Sequence, residues 1–148
     1  MIDTDVPTAA ALMRAMSLEF VLHEGSAEAA EFFTKENDEA GLRGFMAKGA
    51  LYYVAEVDGA MAGFVAMRDQ RHLFHMFVDK AHHRKGIASA LWLHARARAI
   101  EQGNPGLFTV NASSYAVPVY ERFGFARTGS TQSKNGISFN PMQLDEQA

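Results

Sequence analysis

The stretch Val78-Asp79-Lys80-Ala81-His82-His83-Arg84-Lys85-Gly86-Ile87-Ala88-Ser89-Ala90-Leu91 decides how this chain is organised. The apolar run that leads into it, residues 73–78, predicts a buried strand, and from Ile87 onward the apolar residues recur at helical spacing. Between them lies the basic turn Arg84-Lys85-Gly86, whose glycine lets the backbone bend sharply and approach a ligand closely. The N–H groups and positive dipole end of the following helix, with two cations, suit a phosphate. On these residues alone, a plain strand-to-helix connection explains the segment equally well.

A second motif lies downstream, where Ser113, Ala116, Tyr120 and Gly124-Phe125 are spaced as Ser-x-x-Ala-x-x-x-Tyr-x-x-x-Gly-Phe. The two motifs, in this order, resemble the pyrophosphate loop and the strand–helix–turn segment of the GNAT superfamily of N-acetyltransferases. In that family the first motif reads Gln/Arg-x-x-Gly-x-Gly/Ala, and the second begins with Asn. This chain departs from the pattern at the first position of each motif, where it carries His83 and Ser113.

The resemblance covers most of the chain and implies one α/β domain over residues 1–148. Its central sheet is expected to be twisted and mainly antiparallel, with about six strands and helices on both faces. In this family the strands that correspond to residues 73–78 and 107–113 run parallel and splay apart to admit the cofactor. Family members usually begin with a strand, but only residues 1–4 precede the predicted helix cap Asp5, so we expect that strand to be short or absent. The exposed sheet edge would be a pairing hazard or a homodimer contact.

Apolar periodicity and turn residues predict the remaining elements. A first helix is expected from Asp5-Val6-Pro7 to about Gly25, and one or two short helices over residues 27–48, interrupted around Gly41 and Gly44. Asp58-Gly59 predicts a hairpin between two strands. The expected strands are 51–57, 60–68, 72–78, 107–113, 125–128 and 137–144, and the later helices are 86–101 and 118–122.

The resemblance implies acetyl-CoA as the co-substrate. Its pantetheine arm is expected to pair with the backbone of Met76 and Val78 as an added strand would, and its pyrophosphate to lie on the basic turn. Ser113 can offer a hydroxyl to a pantetheine amide in place of the family's Asn. The expected cofactor-binding residues are Met76, Phe77, Val78, His83, Arg84, Lys85, Gly86, Ile87, Ala88, Ser89, Ser113 and Tyr120.

The implied reaction is direct transfer of an acetyl group to a primary amine of a small molecule or peptide, because the chain has no cysteine to carry the group. The amine must lose a proton and the CoA thiolate must gain one, so the site needs a base and an acid. Tyr120 occupies the family position of the general acid. The ordinary alternative is a tyrosine that packs beside Phe123 and Phe125.

The general base is assigned to His72, where several family members carry Glu or His, and an unperturbed imidazole titrates near neutral pH. Glu19 on the first helix is a second candidate, and Glu19, His75 and Asn111 are expected to contact the substrate. A structural or surface role is the ordinary explanation for each histidine, and a solvated charge for Glu19. Strict strand alternation would send His72 and His75 to opposite faces, unless a bulge intervenes.

Composition argues against several other classes of protein and of site. The chain has 148 residues, of which 48% are hydrophobic and 21% charged, so it has enough apolar residues to form one hydrophobic core. The absence of cysteine excludes disulfides and thiolate sites, and the net charge of −3 argues against a nucleic-acid surface. No membrane-length apolar run or signal-peptide order is present, so we expect a cytoplasmic protein with no membrane partner. The histidines at 72, 75, 82 and 83 lack a completing carboxylate or cysteine, so no metal site is expected.

A CoA-binding regulatory protein that has lost turnover is the alternative function, supported by the departures at His83 and Ser113 and by the missing first strand. The sequence leaves the acceptor open among a polyamine, an aminoglycoside, an amino acid and a protein N-terminus. The acidic balance slightly favours a cationic small molecule.

Overall fold

The computed structural model of the protein describes residues 1–20 and 27–147. Its helices are α1 (Val6–Phe20), α2 (Ala27–Glu36), α3 (Glu39–Ala47), α4 (Ile87–Glu101) and α5 (Val117–Phe123). Its strands are β1 (Leu51–Val57), β2 (Ala60–Arg68), β3 (His72–Val78), β4 (Leu107–Ala112), β5 (Ala126–Arg127), β6 (Gln132–Lys134) and β7 (Ile137–Asp145). Two short 3-10 turns lie at Asp3–Asp5 and Lys80–His82.

The strands form one sheet in the order β1-β2-β3-β4-β7-β5, and β6 pairs with the first part of β7. The pair β3–β4 is parallel, and the other pairs among the described strands are antiparallel. This confirms the expected mixed, mainly antiparallel sheet. The seventh strand, β6, was not predicted because its residues Gln132-Ser133-Lys134 are all exposed and polar, and so carry no burial pattern.

Helices cover both faces of the sheet, as expected, and each face has its own core. On one face α4 packs against β2, β3, β4 and β7, and the Trp92 ring meets Phe108 edge-on at 5.0 Å. On the other face α1 and α3 pack through Met13 and Leu42 against Tyr52 and other residues of β1 and β2. The sheet is therefore held from both sides where β1, β2 and β3 run.

The parallel pair β3–β4 is short. His72 pairs with Thr109 and Leu73 with Val110, and no further pairs follow between these two strands. Beyond that point β3 stays paired to β2 as far as Val78, while β4 stays paired to β7 as far as Ala112. β3 therefore stays with β2, β4 stays with β7, and a gap opens between β3 and β4, as the resemblance implied.

A β-bulge lies in β3 where the gap begins. Ala66 pairs with His75 and the next residue of β2, Met67, pairs with Leu73, so Phe74 is the extra residue. Leu73 belongs to the α4 core, whereas Phe74 and His75 both contact Phe45 on the α1–α3 side. The side chains of β3 therefore do not alternate strictly between the two faces of the sheet, because the bulge turns Phe74 and His75 to the same face.

His72 shares that face with His75. The His72 Nδ1 atom lies 2.8 Å from Thr109 Oγ1. Thr109 stands between Phe108 and Val110, which both point into the α4 core, so Thr109 faces the opposite side. The two histidines that alternation would have separated lie on the same side of the sheet.

The expected interruption around Gly41 and Gly44 is wrong, because both glycines lie inside α3. The break between α2 and α3 falls at Asn37-Asp38, where the Asp38 side chain accepts a hydrogen bond of 2.9 Å from Gly41 N. An aspartate that caps a helix in this way satisfies an amide that the first turn leaves unpaired. The cap residue, not the glycines, decides where the chain turns.

The first helix begins at Val6, one residue after Asp5, which belongs to the preceding 3-10 turn and accepts from Ile2 N. Its expected end near Gly25 lies outside the described residues. Residues 1–20 contain no strand, and β1 forms one edge of the sheet. The N-terminal ammonium of Met1 donates to the Tyr52 carbonyl on that edge at 2.8 Å. A homodimer contact through β1 stays a prediction.

Candidate functional site

A cleft of about 450 Å³ occupies the gap between β3 and β4. Its walls are the end of β3, the turn that leads into α4, the turn after β4 and the exposed side of α5. The lining residues are Met16, Met76, Phe77, Val78, His82, His83, Arg84, Gly86, Ile87, Ala88, Ser89, Ser113, Tyr115, Ala116, Pro118, Val119, Tyr120, Arg122 and Phe123. Most of the cofactor-binding residues expected from the sequence are thus brought together.

The backbone of β3 offers hydrogen-bonding groups to this cleft. Asp79 N donates to Ala62 O at 2.8 Å, so these two residues form a hydrogen-bonded antiparallel pair between β3 and β2. Such pairs alternate with pairs whose N–H and C=O groups point away from the partner strand. In the register of this sheet, Met76 and Val78 fall in the second class, so their backbone groups point into the gap.

One of these groups is already engaged. The Nε2 atom of His83 lies 2.8 Å from the carbonyl oxygen of Val78, to which the ring N–H donates. The sequence had suggested that the Val78 backbone pairs with a ligand, and here its carbonyl holds the basic turn instead. A ligand strand in the cleft can therefore pair with both backbone groups of Met76 and with the N–H of Val78.

The turn into α4 presents backbone amides to the cleft. Arg84 and Gly86 adopt left-handed conformations, with φ of 64° and 79°. The first backbone hydrogen bond of α4 runs from Ala90 N to Gly86 O at 3.0 Å. The amides of Ile87, Ala88 and Ser89 therefore have no acceptor within the helix, and all three residues line the cleft.

The space beside Gly86, which directly precedes these amides, is open. A Cβ atom added to Gly86 would meet no described atom within 4 Å. Amide donors, the positive end of a fifteen-residue helix and open space together form a site for an anion such as a phosphate.

Two guanidinium groups stand on opposite walls of the cleft, Arg84 on the turn and Arg122 on α5, and both are exposed. Neither forms an ion pair with a carboxylate in residues 1–20 or 27–147.

His82 also lines the cleft, and its Nδ1 atom is buried without a hydrogen-bond partner in the part of the chain that the structure describes. Lys85 does not line the cleft, although the sequence placed it among the cofactor-binding residues.

Tyr120 is both a packed core residue and a cleft residue. Its ring is 6% exposed and meets Phe123 and Phe125 edge-on, at 6.0 and 5.7 Å. The residue also lines the cleft, and its hydroxyl makes no hydrogen bond to any described residue. Burial raises the pKa of Tyr120 well above its usual value, so the hydroxyl keeps its proton at neutral pH.

His72 lies beside the closed end of the gap and does not line the cleft itself. The His72 side chain contacts Thr109 and is half-buried. Burial lowers the pKa of His72 below 6.5, and the charges of Arg68 and Arg71 lower it further. The imidazole is consequently neutral at pH 7, which is the form that can accept a proton.

His75 lies in the core, where it is 7% exposed. It stacks on Phe74 at 4.1 Å between ring centroids, and its Nδ1 atom lies 3.0 Å from the Tyr52 hydroxyl. Burial lowers the pKa of His75 to about 3. The prediction that His75 contacts the substrate does not fit this position, because the bulge turns the ring under α3.

The other two residues expected to contact the substrate lie outside the cleft lining. Glu19 forms an ion pair with Lys80 that joins α1 to the 3-10 turn after β3. Asn111 is exposed on β4, on the same sheet face as Thr109 and His72. Ser113 does line the cleft, and its Oγ atom accepts from Ala116 N at 3.3 Å.

Sequence reasoning missed several cleft residues, among them Met16, Tyr115 and Arg122. Arg122 follows Tyr120 by two positions in a helix that was predicted, and an unpaired arginine there could have been flagged as an anion contact. Met16 lies on the apolar face of α1, and nothing in that pattern distinguishes a core residue from a cleft residue.

Within residues 1–20 and 27–147, no helix is long and apolar enough to cross a membrane. The same residues contain no group of three His, Asp or Glu side chains placed to hold a metal ion.

Comparison with known proteins gives a consistent result. The family model described as "Acetyltransferase (GNAT) domain" matches residues 21–146. Human N-acetyltransferase 8 is 33% identical over 95 residues, a match that covers 57% of this chain and 42% of that protein. The chain thus spans less than half the length of this curated relative.

Solved structures share the fold. A GCN5-related N-acetyltransferase from Rhodopseudomonas palustris aligns with a TM-score of 0.83 at 22% identity, covering 98% of this chain and 92% of that one. The PaiA N-acetyltransferase from Thermoplasma acidophilum, in complex with coenzyme A, aligns with a TM-score of 0.79 at 16% identity, covering 98% and 95%.

Proposed function

The chain belongs to the GNAT acetyltransferase family, and we propose that it is an acetyl-CoA-dependent N-acetyltransferase that acts directly on a primary amine of a small molecule or peptide. The observation that carries the proposal is the gap between β3 and β4, which leads to the open amides at the start of α4. That gap exposes backbone groups in a row, as a sheet does toward an added strand.

The residues present fit acetyl-CoA. The backbone of Met76 and the N–H of Val78 would pair with the amides of the pantetheine arm. The amides of residues 87–89, with Arg84 and Arg122 on either wall, would hold the phosphates. Ser113 and Ala116 would contact the arm from the side of β4. When bound, acetyl-CoA would supply the acetyl group as a thioester, with CoA as a thiolate leaving group.

We assign the role of general acid to Tyr120. Its buried ring fixes the position of the hydroxyl at the cleft, and the hydroxyl carries a proton at neutral pH that it can donate to a thiolate beside it. No described side chain competes for this hydroxyl, so it can turn toward a sulfur atom in the cleft.

We assign proton removal from the amine to His72, which is neutral at pH 7 and lies where the gap closes. The acceptor would approach over the sheet face that carries His72, Thr109 and Asn111. Glu19 can contribute to binding an ammonium group if Lys80 moves away, since solvent and salt screen an exposed ion pair and make it weak.

A panel of amines tests the proposed activity. The purified protein is mixed with acetyl-CoA and a polyamine, an aminoglycoside, an amino acid or a peptide with a free N-terminus, and free thiol is measured. We expect thiol release that depends on at least one amine. Binding of CoA in calorimetry without thiol release from any of these amines would support the regulatory alternative, which no observation on the structure favours.

The anion site at the start of α4 is tested by Gly86→Asp. The new carboxylate would enter the open space beside Gly86 and place a negative charge next to the expected phosphate site, so CoA affinity should fall by at least about a hundredfold. The matched control is Gly49→Asp, since Gly49 also has a positive φ and open space around it but lies between α3 and β1. Unchanged CoA binding by folded Gly86→Asp in calorimetry would refute the assignment of this turn.

The base is tested by His72→Ala, with His94→Ala on the exposed side of α4 as control. Turnover should fall most at the acidic end of the pH profile, where fewer acceptor molecules are already deprotonated. In the parent, kcat/KM should decline only below pH 6.5, because the pKa of His72 is lowered. CoA affinity should stay within about twofold. A profile identical to that of the parent removes His72 from the mechanism.

The acid is tested by Tyr120→Phe, which keeps the packed ring and deletes the proton. Acid catalysis contributes about a hundredfold to ten-thousandfold, and the lower end applies here because a thiolate is already a good leaving group. Turnover at saturating acetyl-CoA should therefore fall about a hundredfold with little change in Tm. Tyr53→Phe, a half-buried tyrosine on β1, serves as control. Full activity of a folded Tyr120→Phe protein would make the hydroxyl structural and solvent the proton donor.

A further inference from the structure

A buried polar residue stands behind the wall of the cleft that β4 provides. Asn140 on β7 is 0% exposed and lies opposite Ala112, the last residue of β4. Its Nδ2 atom donates to the Ala112 carbonyl at 3.1 Å and to Ser114 Oγ at 3.2 Å. Its Oδ1 atom accepts from Arg127 Nη1 at 2.9 Å and from Thr131 Oγ1 at 2.7 Å.

These partners fix the orientation of the Asn140 amide. A guanidinium can only donate, so the oxygen must face Arg127, and a carbonyl can only accept, so the NH₂ group must face Ala112. Both N–H donors and both oxygen lone pairs then have partners. The amide has an inner side toward the turn after β4 and an outer side toward exposed residues of β5 and the β5–β6 loop.

The turn on the inner side forms one wall of the cleft. Ser113, Tyr115 and Ala116 line the cleft immediately after Ala112, and Ala116 caps the helix that carries Tyr120. On the other side, β4 has lost its pairing with β3 beyond Val110. The end of β4 therefore depends on β7 alone for its position in the sheet, and Asn140 supplies the side-chain bonds there.

We propose that Asn140 is a positioning residue for the cofactor, which sets the width of the cleft by holding the turn 112–116 through its two N–H donors. This inference rests on the proposed function, because it assumes that the cleft binds acetyl-CoA. Asn140 touches no substrate and acts through Ser113 and Ala116. A displacement of such a wall by about 1 Å can cost up to about a hundredfold in catalysis, so the two hydrogen bonds are sufficient for a measurable effect.

The chemistry of the site separates this role from a purely structural one. A buried asparagine costs free energy unless every polar atom is paired, and an apolar residue would fill the core without that constraint. The inner and outer bonds can also be removed independently. If Asn140 only stabilised the fold, losing bonds on either side would have similar consequences.

The test compares Asn140→Asp with Thr131→Val. The aspartate has the same size and still accepts from Arg127 and Thr131, but it loses both donors and sets an oxygen against the Ala112 carbonyl. We expect the Kd for CoA and the KM for acetyl-CoA to rise about tenfold, while the KM for the amine stays within about twofold. Thr131→Val removes one outer bond and should leave the Kd for CoA within about twofold, whatever its effect on Tm.

Equal Kd values for the parent and folded Asn140→Asp, or equal weakening by Asn140→Asp and Thr131→Val, would overturn the inference. If Asn140→Asp does not fold, the variant Ser114→Ala tests the inference instead. Ser114 is exposed, and its replacement by alanine removes only one of the two inner hydrogen bonds of Asn140. This variant should raise the Kd for CoA about threefold, and an unchanged Kd would count against the inference. Failure of the parent protein itself to bind CoA would instead refute the proposed function.

Discussion

The site depends on one feature of the sheet: the hydrogen-bonded pairing between β3 and β4 ends after two residue pairs. Buried backbone N–H and C=O groups need partners, so a sheet that opens in its middle is costly unless something else occupies the gap. The N–H and C=O of Met76 and the N–H of Val78 face that gap. We propose that a peptide-like ligand pairs with them and so completes the sheet.

Side-chain hydrogen bonds hold the two walls of the gap. On the β3 side His83 donates to the Val78 carbonyl, and so ties the basic turn to the strand that precedes it. On the β4 side Asn140 binds the Ala112 carbonyl and Ser114. Both side chains bond to a carbonyl of the last residue of a strand. Both walls are thus held by side-chain hydrogen bonds that form without a ligand, from a cleft residue on one side and a buried residue behind the wall on the other.

Much of this arrangement could be predicted from the sequence, because apolar periodicity and two spaced motifs depend on local residues. Periodicity and turn residues predicted strands β1, β2 and β3 with their observed bounds and the turn at Gly86, whereas the gap between β3 and β4 was expected only from the family resemblance. The bulge at Phe74 could not be located, since it depends on how β2 and β3 register after both have formed. Asn140 was missed because its four bonds come from residues that are distant in sequence, and a lone Asn in a strand carries no local signal. Lys85 and His75 were assigned by position in a motif or a strand, and neither lines the cleft. For His75 the reason is the bulge, which turns its ring toward Phe45 and depends on the final strand register.

Amide hydrogen exchange of the protein with and without CoA measures whether a ligand pairs with β3. We expect the amides of Met76, Val78, Ile87, Ala88 and Ser89 to exchange at least about tenfold more slowly when CoA is bound, because they then donate to the ligand. The amide of Val54 provides the internal control. Since the Tyr52 carbonyl points out of the sheet edge toward Met1, the N–H of Val54 two residues later points out as well, and its exchange should not change. Unchanged exchange at Met76 and Val78 in a protein that demonstrably binds CoA would contradict the claim that the ligand completes the sheet.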